Sequence, residues 1–412
     1  MSGGGRSAGA LTSRGGETAA DGAPGERALE DRAGLYLHVP FCSAVCPYCD
    51  FAVTVGGEPS RRSYLSALAA EIALWAGGED AWRLPFDTVY LGGGTPSWLR
   101  PDELAGVFAA LEADLGTAGA WIQLEANPED VSAGSLAAWR RLGVATLSLG
   151  VQSFDDRALV FLGRRHRAAE GRRAVELALA AGFESVSLDL IYGLPGASVE
   201  ELARDLEAAV ALAPHHLSCY QLTVEPGTVF GHRRDQGELA ELPEPRQAAL
   251  FRFVHRYLAD AGYPAYEVSN FARAPGHRSR HNRKYWRHVP YLGLGPSAHS
   301  YDGGRRRWWN LRGLGAWRRA VERGERPLAG AERLGDGELA LEALMLGLRT
   351  ADGIDLALYR RRYGVDLLAT DGALVAGLVE SGRALVEDGR LRLTLDGLVV
   401  AEGLAARFAL AA

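Results

Sequence analysis

Cysteine is scarce in this chain, with four residues in 412, too few for a disulfide-stapled secreted scaffold. No apolar run approaches the roughly 20 residues needed to cross a bilayer, so no membrane span is expected. An apolar stretch after a basic start is also missing, which argues against a secretory leader. Neither sign of charge dominates: 45 Lys and Arg stand against 51 Asp and Glu, a formal net charge of −6. Bulk electrostatics therefore give no reason to expect nucleic acid or an anionic membrane as partner. What these absences leave is a globular chain, 47% hydrophobic, long enough for a large domain plus a smaller one. It is expected in the cytoplasm, where thiols stay reduced.

The few cysteines are concentrated. Cys42, Cys46 and Cys49 fall in one short loop spaced C-x3-C-x2-C, and only Cys219 lies elsewhere. The loop follows Leu35–Val39, an apolar run that reads as a buried strand, ended by Pro40, which has no N–H for a ladder. An odd number of thiols does not suit a disulfide. Three thiolates leave a tetrahedral zinc site one ligand short, a place that His38 could take in a Cys3His arrangement. An iron–sulfur cluster with one iron lacking a cysteine fits the spacing best, because that iron stays open to a small molecule.

Residues 1–33 are rich in Gly, Ala and Ser without apolar periodicity and are expected to be disordered. Helical and strand-like segments then alternate. Tyr64–Trp75 and Asp102–Leu115 read as helices; Thr88–Leu91, Trp121–Glu125, Thr146–Gly150, Ser185–Asp189 and Leu217–Leu222 read as strands. This rhythm means βα units, a parallel sheet and a full or partial barrel, with its site at the strand ends. The polar signatures sit there. Gly92–Pro96 (GGGTP) follows the second strand, and glycine lets a backbone approach a ligand closely. Glu125, Gln152, Arg164 and Asp189 lie at or after the third to fifth strands. Each alone would be a structural ion pair; together they favour a ligand site. Tyr36 is either a core aromatic or a cofactor contact.

With Tyr48 just before its third cysteine, the loop resembles the signature of the radical S-adenosylmethionine (SAM) superfamily. In that superfamily SAM chelates the fourth iron of a 4Fe–4S cluster, and the reduced cluster cleaves SAM to a 5'-deoxyadenosyl radical. More narrowly, LYLHVPFC, PYCDF, LGGGTPS, LEANP, SLGVQSF, LGRRH, LDLIYGLPG and YQLTVEPGT resemble the oxygen-independent coproporphyrinogen III oxidase family, from about Leu35 to the C-terminus. The resemblance implies the cluster on Cys42, Cys46 and Cys49, and SAM contacts at Tyr36, Gly93, Gly94, Thr95, Glu125, Gln152, Arg164 and Asp189. The oxidase branch carries a further cysteine two residues after the third cluster ligand, where this chain has Phe51. The other branch, the HemW-type heme chaperones, has CDF at this place and a later HNxxYW motif. Here His281–Trp286 reads HNRKYW.

That branch implies a carrier of heme that passes it to an acceptor protein; the oxidase is the alternative reading. His281 would be an axial ligand, with Tyr285 and Trp286 stacked on the porphyrin. Arg278, Arg280, Arg283, Lys284 and Arg287 would pair with its propionates. Without the resemblance the motif would read as a surface turn with aromatics inward and cations solvated. His299 and His38 are fallback ligands, and Arg305–Trp309 (RRRWW) is too short a basic patch to suggest nucleic acid. A homodimer is among the assemblies open to the chain.

After about Gly330 the pattern changes to helices over Leu339–Leu348, Leu356–Tyr363 and Leu374–Ser381. A β-ribbon follows, built from Leu385-Val386 and Arg390–Thr394, and then a closing helix over Leu398–Phe408. This is winged-helix-like, but Glu380, Glu387, Asp388 and Asp396 around the ribbon argue against phosphate binding. The expected fold class is α/β, a partial (β/α)6 TIM-like barrel followed by a smaller α+β winged-helix-like domain. Its expected organisation is a tail over 1–33, the barrel over 34–270, a connecting region with HNRKYW over 271–330, and the C-terminal domain over 331–412.

Overall fold

The computed structural model describes residues 32–408; the expected tail up to residue 31 lies outside the described residues. The barrel strands are β1 (Ala33–Val39), β2 (Phe86–Gly93), β3 (Trp121–Ala126), β4 (Val144–Gln152), β5 (Ser185–Tyr192) and β6 (His216–Gln221). The helices between them are α1 (Glu58–Ala76), α2 (Pro101–Leu115), α3 (Ala133–Arg141), α4 (Ala168–Ala180) and α5 (Val199–Ala211), and α6 (Glu244–Asp260) follows β6. Each strand pairs in parallel with the next, as βα crossovers require.

Period-two patterning dictates which face is which. Leu35, Leu37, Val89, Leu91, Leu124, Leu147, Leu149, Val186, Leu188 and Leu217 are buried in one continuous apolar core. The alternate residues of the same strands are polar: Tyr36 and His38, Thr88 and Tyr90, Gln123 and Glu125, Ser148, Ser187 and Asp189, His216 and Ser218. They hydrogen-bond to each other across strands, as Tyr90 does to Glu125 and Ser148 to Asp189. The helices begin where capping chemistry allows. At α5 the Ser198 hydroxyl accepts from the Glu201 N–H, and the Glu201 carboxylate accepts from the Ser198 N–H, a reciprocal box.

The segment expected as a connecting region instead extends the sheet on both flanks. β7 (Asn270–Ala272) pairs antiparallel with β6. After the short helix α7 (Arg280–Trp286), β8 (Tyr291–Leu294) pairs in parallel with the outer side of β1. β9 (His299–Tyr301), β10 (Arg306–Asn310) and, after α8 (Leu314–Glu322), β11 (Leu328–Arg333) continue antiparallel. The resulting order is β11-β10-β9-β8-β1-β2-β3-β4-β5-β6-β7, an open sheet of 11 strands. The barrel is therefore partial. Its strand-start end is plugged by α7, whose His281 and Lys284 side chains pack against Gly34, at the start of β1.

The C-terminal module has its own core, built on Leu344, Ile354, Tyr359, Val375, Leu378, Leu391 and Phe408. It comprises α9 (Asp336–Gly347), β12 (Ile354–Asp355), α10 (Leu356–Tyr363), α11 (Gly372–Glu380), β13 (Ala384–Glu387) and β14 (Arg390–Leu393). The three strands pair antiparallel in the order β12-β14-β13. The single closing helix expected over Leu398–Phe408 is two short ones, Leu395–Leu398 and Ala401–Ala405. Val400, at φ −119°, leaves helical geometry between them. Among the described residues no helix is long and apolar enough to cross a membrane.

Candidate functional site

Pro40 ends β1, yet Phe41–Cys42 remain extended and pair in parallel with Thr54–Val55, so the cysteine loop is held at both ends. Phe41 is buried and packs edge-on against Tyr64 of α1 and against Trp98. His38 Nε2 lies 2.9 Å from the Ala52 carbonyl. A carbonyl only accepts, so Nε2 carries the proton and Nδ1 accepts from the Tyr36 hydroxyl at 3.1 Å. With burial pushing its pKa down, His38 is a neutral clamp on the loop exit, and its role as a spare metal ligand is withdrawn. Among the described residues no three His, Cys, Asp or Glu side chains converge as a mononuclear site requires. Thiolates of an iron–sulfur cluster bind separate irons and need no common point.

The end of β2 passes directly against this loop. A Cβ on Gly93, which has φ +109°, would lie 2.6 Å from the His38 ring, and one on Gly94 would lie 2.6 Å from the Phe41 carbonyl oxygen and 3.0 Å from Cys42 Sγ. The buried Thr95 hydroxyl donates to Cys42 Sγ at 3.5 Å and accepts from Asn127 Nδ2 at 3.1 Å. Asn127 Oδ1 accepts from Arg164 Nη2 at 2.6 Å, and the same Nη2 donates to the Gly150 carbonyl at 2.8 Å. Arg164 Nη1 reaches Cys46 Sγ at 3.6 Å. These bonds run as a chain from Cys42 to Cys46 across the ends of β2, β3 and β4. Among the described residues the buried Arg164 Nε has no hydrogen-bond partner, a donor that an oxygen of an anionic ligand would satisfy. Burial pushes the Cys42 thiol up to about 11 and raises that of Cys49, so metal binding there releases protons.

Two carboxylates face the same space. Glu125 accepts from the Tyr90 hydroxyl at 2.5 Å, and burial pushes its pKa up to about 7. Asp189 accepts from Ser148 Oγ at 3.1 Å and is pushed up to about 6, again by burial. A cationic group bound between them would restore their ionised forms. Gln152 sits at a register irregularity of β4 with φ +67°, a non-glycine strained at a strand end. The structure therefore gathers Tyr36, Gly93, Gly94, Thr95, Glu125, Gln152, Arg164 and Asp189 around the cysteine loop. Sequence reasoning placed Asn127 within LEANP without giving it a role, and did not single out Tyr90 or Ser148. The signal for the last two was present in the strict alternation of TVYLG and TLSLG, which turns every second residue to the polar face.

HNRKYW behaves differently from expectation. His281 is buried, with Nδ1 2.9 Å from Thr88 Oγ1 and Nε2 2.8 Å from the Tyr285 hydroxyl. Burial and the nearby Lys284 hold it down to about 3, hence neutral. It is an internal tie with neither ring nitrogen free, and the surface-turn reading fails as well. Cations in and beside the motif are also engaged: Arg280 stacks 3.9 Å over Trp121, and Lys284 Nζ meets Asp87 at 2.6 Å and the Arg32 carbonyl at 2.7 Å. Of the three proposed heme contacts only Tyr285 reaches a cleft; Trp286 is half-buried away from it. The cleft opens beside the cysteine loop as a cavity of about 390 Å³ walled by Tyr36, Phe51, Tyr285, Tyr291, His299 and Arg312. Tyr285 and Tyr291 also wall a second space of about 220 Å³, lined by His288, Arg307 and Met345 of α9.

The chain is similar to known proteins over most of its length. The family model of the radical SAM superfamily matches residues 36–209, and that of the HemN C-terminal domain matches residues 336–400. The heme chaperone HemW of Mycobacterium tuberculosis (strain H37Rv) is 39% identical over 372 residues, covering 89% of this chain and 93% of that protein. The heme chaperone HemW of Bacillus subtilis is 32% identical, covering 88% and 95%. The solved structure of coproporphyrinogen III oxidase (HemN) from Escherichia coli superposes with a TM-score of 0.77 at 24% identity, covering 92% of this chain and 90% of that one. At that identity the likeness speaks for the fold.

Proposed function

The chain belongs to the radical SAM superfamily and, within it, to the HemW family of heme chaperones; from that membership we propose that it holds a 4Fe–4S cluster on Cys42, Cys46 and Cys49, binds SAM beside it, and carries heme to an acceptor protein. The observation that carries this reading is the hydrogen-bonded chain Cys42–Thr95–Asn127–Arg164–Cys46, with an aromatic cleft opening from the same loop.

In this reading the unfilled donor of Arg164 pairs with the SAM carboxylate. Glu125 and Asp189, both uncomfortable as buried anions, take its ammonium and ribose hydroxyls. Gly93 and Gly94 bring the β2 backbone against the loop, and Tyr36, Thr95 and Gln152 complete the wall. When bound, the reduced cluster supplies the electron that cleaves SAM. Planar aromatic cargo suits the Tyr- and Phe-walled cleft. The oxidase chemistry finds less support: Phe51 stands exposed where that branch has a cysteine, and Cys219 is buried in β6 and offers no substitute. A cluster of this kind suits the reducing cytoplasm.

The test is an anaerobic comparison on the cluster-reconstituted protein. Hemin is titrated by absorbance, and a second sample receives SAM, a reductant and coproporphyrinogen III. Stoichiometric heme binding without protoporphyrinogen formation is expected. Turnover of the porphyrinogen without specific heme binding would overturn the proposal.

A further inference from the structure

We infer that the side chain meeting the heme iron is His299, at the start of β9, rather than the motif histidine His281. This rests on the heme-carrier reading above and deepens it by naming the ligand.

Three histidines border the cleft: His38 and His299 in the larger space and His288 in the smaller one. His38 has both ring nitrogens bound, to Tyr36 and Ala52. His288 is held between the Tyr363 hydroxyl at 3.3 Å and the Glu342 carboxylate at 3.4 Å. His281 does not border the cleft, and both its nitrogens are engaged. His299 is exposed, and among the described residues no side-chain hydrogen bond or ion pair engages its ring. It is oriented instead by stacking on Trp309, its β10 partner, with centroids 6.0 Å apart and planes 24° from parallel. An imidazole with an open nitrogen, fixed by its ring face and lining an aromatic cleft, is in the form that ligates iron.

The turn that presents it is expensive to build. Ser297, two residues before His299 and also on the cleft wall, holds φ +63° without being glycine, a conformation that persists only when the surroundings impose it. The flanks of the turn are fastened by Glu71 of α1, fully buried, whose carboxylate accepts from the Gly295 N–H at 2.8 Å and from Asn310 Nδ2 at 2.7 Å. Asn310 Nδ2 also donates to the Gly295 carbonyl at 2.8 Å, and the Asn310 N–H donates to the Ala298 carbonyl at 2.9 Å. Among the described residues no cation pairs with this buried carboxyl group, which makes it a costly anchor for an ordinary hairpin. It is intelligible if the turn must hold a ligand in register. On the rim, Arg312 pairs with Asp50 at 3.0 Å in solvent, a weak pair that can yield to a propionate.

The experiment is a hemin titration of the full chain, read by the position of the Soret band and by spin state in electron paramagnetic resonance. His299→Gly, at an exposed strand end, is compared with wild type and with His281→Asn, each checked for folding by circular dichroism. In His299→Gly the hemin Kd is expected to rise about tenfold or more, with a shifted Soret band that added imidazole restores. Folded His281→Asn is expected to keep the wild-type spectrum. An unchanged spectrum and Kd in His299→Gly would overturn the assignment, as would loss of the wild-type spectrum in folded His281→Asn alone. Wild type failing to bind hemin would instead sink the heme-carrier reading itself.

Discussion

Arg164 reaches three acceptors with one fork, the Asn127 amide oxygen, the Gly150 carbonyl and Cys46 Sγ, and keeps Nε in reserve. Lysine would preserve the charge, but a single ammonium on a flexible stem cannot span those positions. Hydrogen bonds to charged groups contribute about 1.5–3 kcal/mol each. Arg164→Lys is accordingly expected to weaken SAM binding by about tenfold or more in calorimetric titration of the reconstituted protein, while iron and sulfide per chain stay at wild-type levels. Equal SAM affinity in the two proteins would mean that the arginine only packs. Arg164 was visible in the sequence because its neighbours formed a recognisable string. Asn127, its partner, stands in the equally recognisable LEANP but carries no role there, because a lone Asn before a proline has many commoner explanations. His281 was misread for a related cause. Its character is set by Thr88, which lies 193 residues away in the chain, and no local pattern announces such a partner.

At the scale of elements, the cysteine loop and the end of β2 form one unit, since a Cβ on Gly94 has nowhere to go between the Phe41 carbonyl and Cys42 Sγ. Gly94→Ala is expected to displace the loop and to lower iron incorporation on reconstitution, with a stability loss of about 1–3 kcal/mol in denaturant unfolding. Gly106→Ala is the control: it lies on the exposed face of α2 with nothing within 4 Å of its would-be Cβ. It should leave iron content unchanged and stabilise the helix by up to about 1 kcal/mol. A Gly94→Ala protein that loads iron normally would show that the close approach is incidental. The barrel strands were legible because alternation and length both spoke for them. The extension was not. β8 has four residues and β9 three, too short for a period, and β8 takes its place beside β1 only through pairing with residues some 250 positions earlier. The heavily interrupted stretch that contains them therefore read as a connection.

At the scale of the whole molecule, the two largest apolar cores among the described residues lie under the long sheet and in the C-terminal module, and polar ties add to them in joining distant parts of the chain. Glu71 is the clearest case. Besides Gly295 and Asn310, its carboxylate accepts from Trp317 Nε1 at 3.2 Å, so one side chain of α1 fastens the β8–β9 turn, β10 and α8 to the barrel. Burial pushes its pKa up to about 7, against an ordinary value of 4.5, even though three donors favour the ionised form. The native state therefore holds a proton that the unfolded chain releases between these two values. The corresponding stability is fully present below about pH 4.5 and is lost as pH rises through about 7, to the extent of about 3 kcal/mol. Wild type alone will not display this cleanly. Buried His216 and His281, both held down to about 3, make the unfolded state the greater proton binder below its ordinary histidine value and so tilt the profile the other way. Glu71→Gln removes one titration and leaves the histidines untouched. The unfolding free energy of the variant minus that of wild type is therefore expected to climb as pH is raised from 4.5 to 7 and to level off above it. A difference that stays flat across this interval would show that Glu71 is ionised throughout, its three donors outweighing its burial.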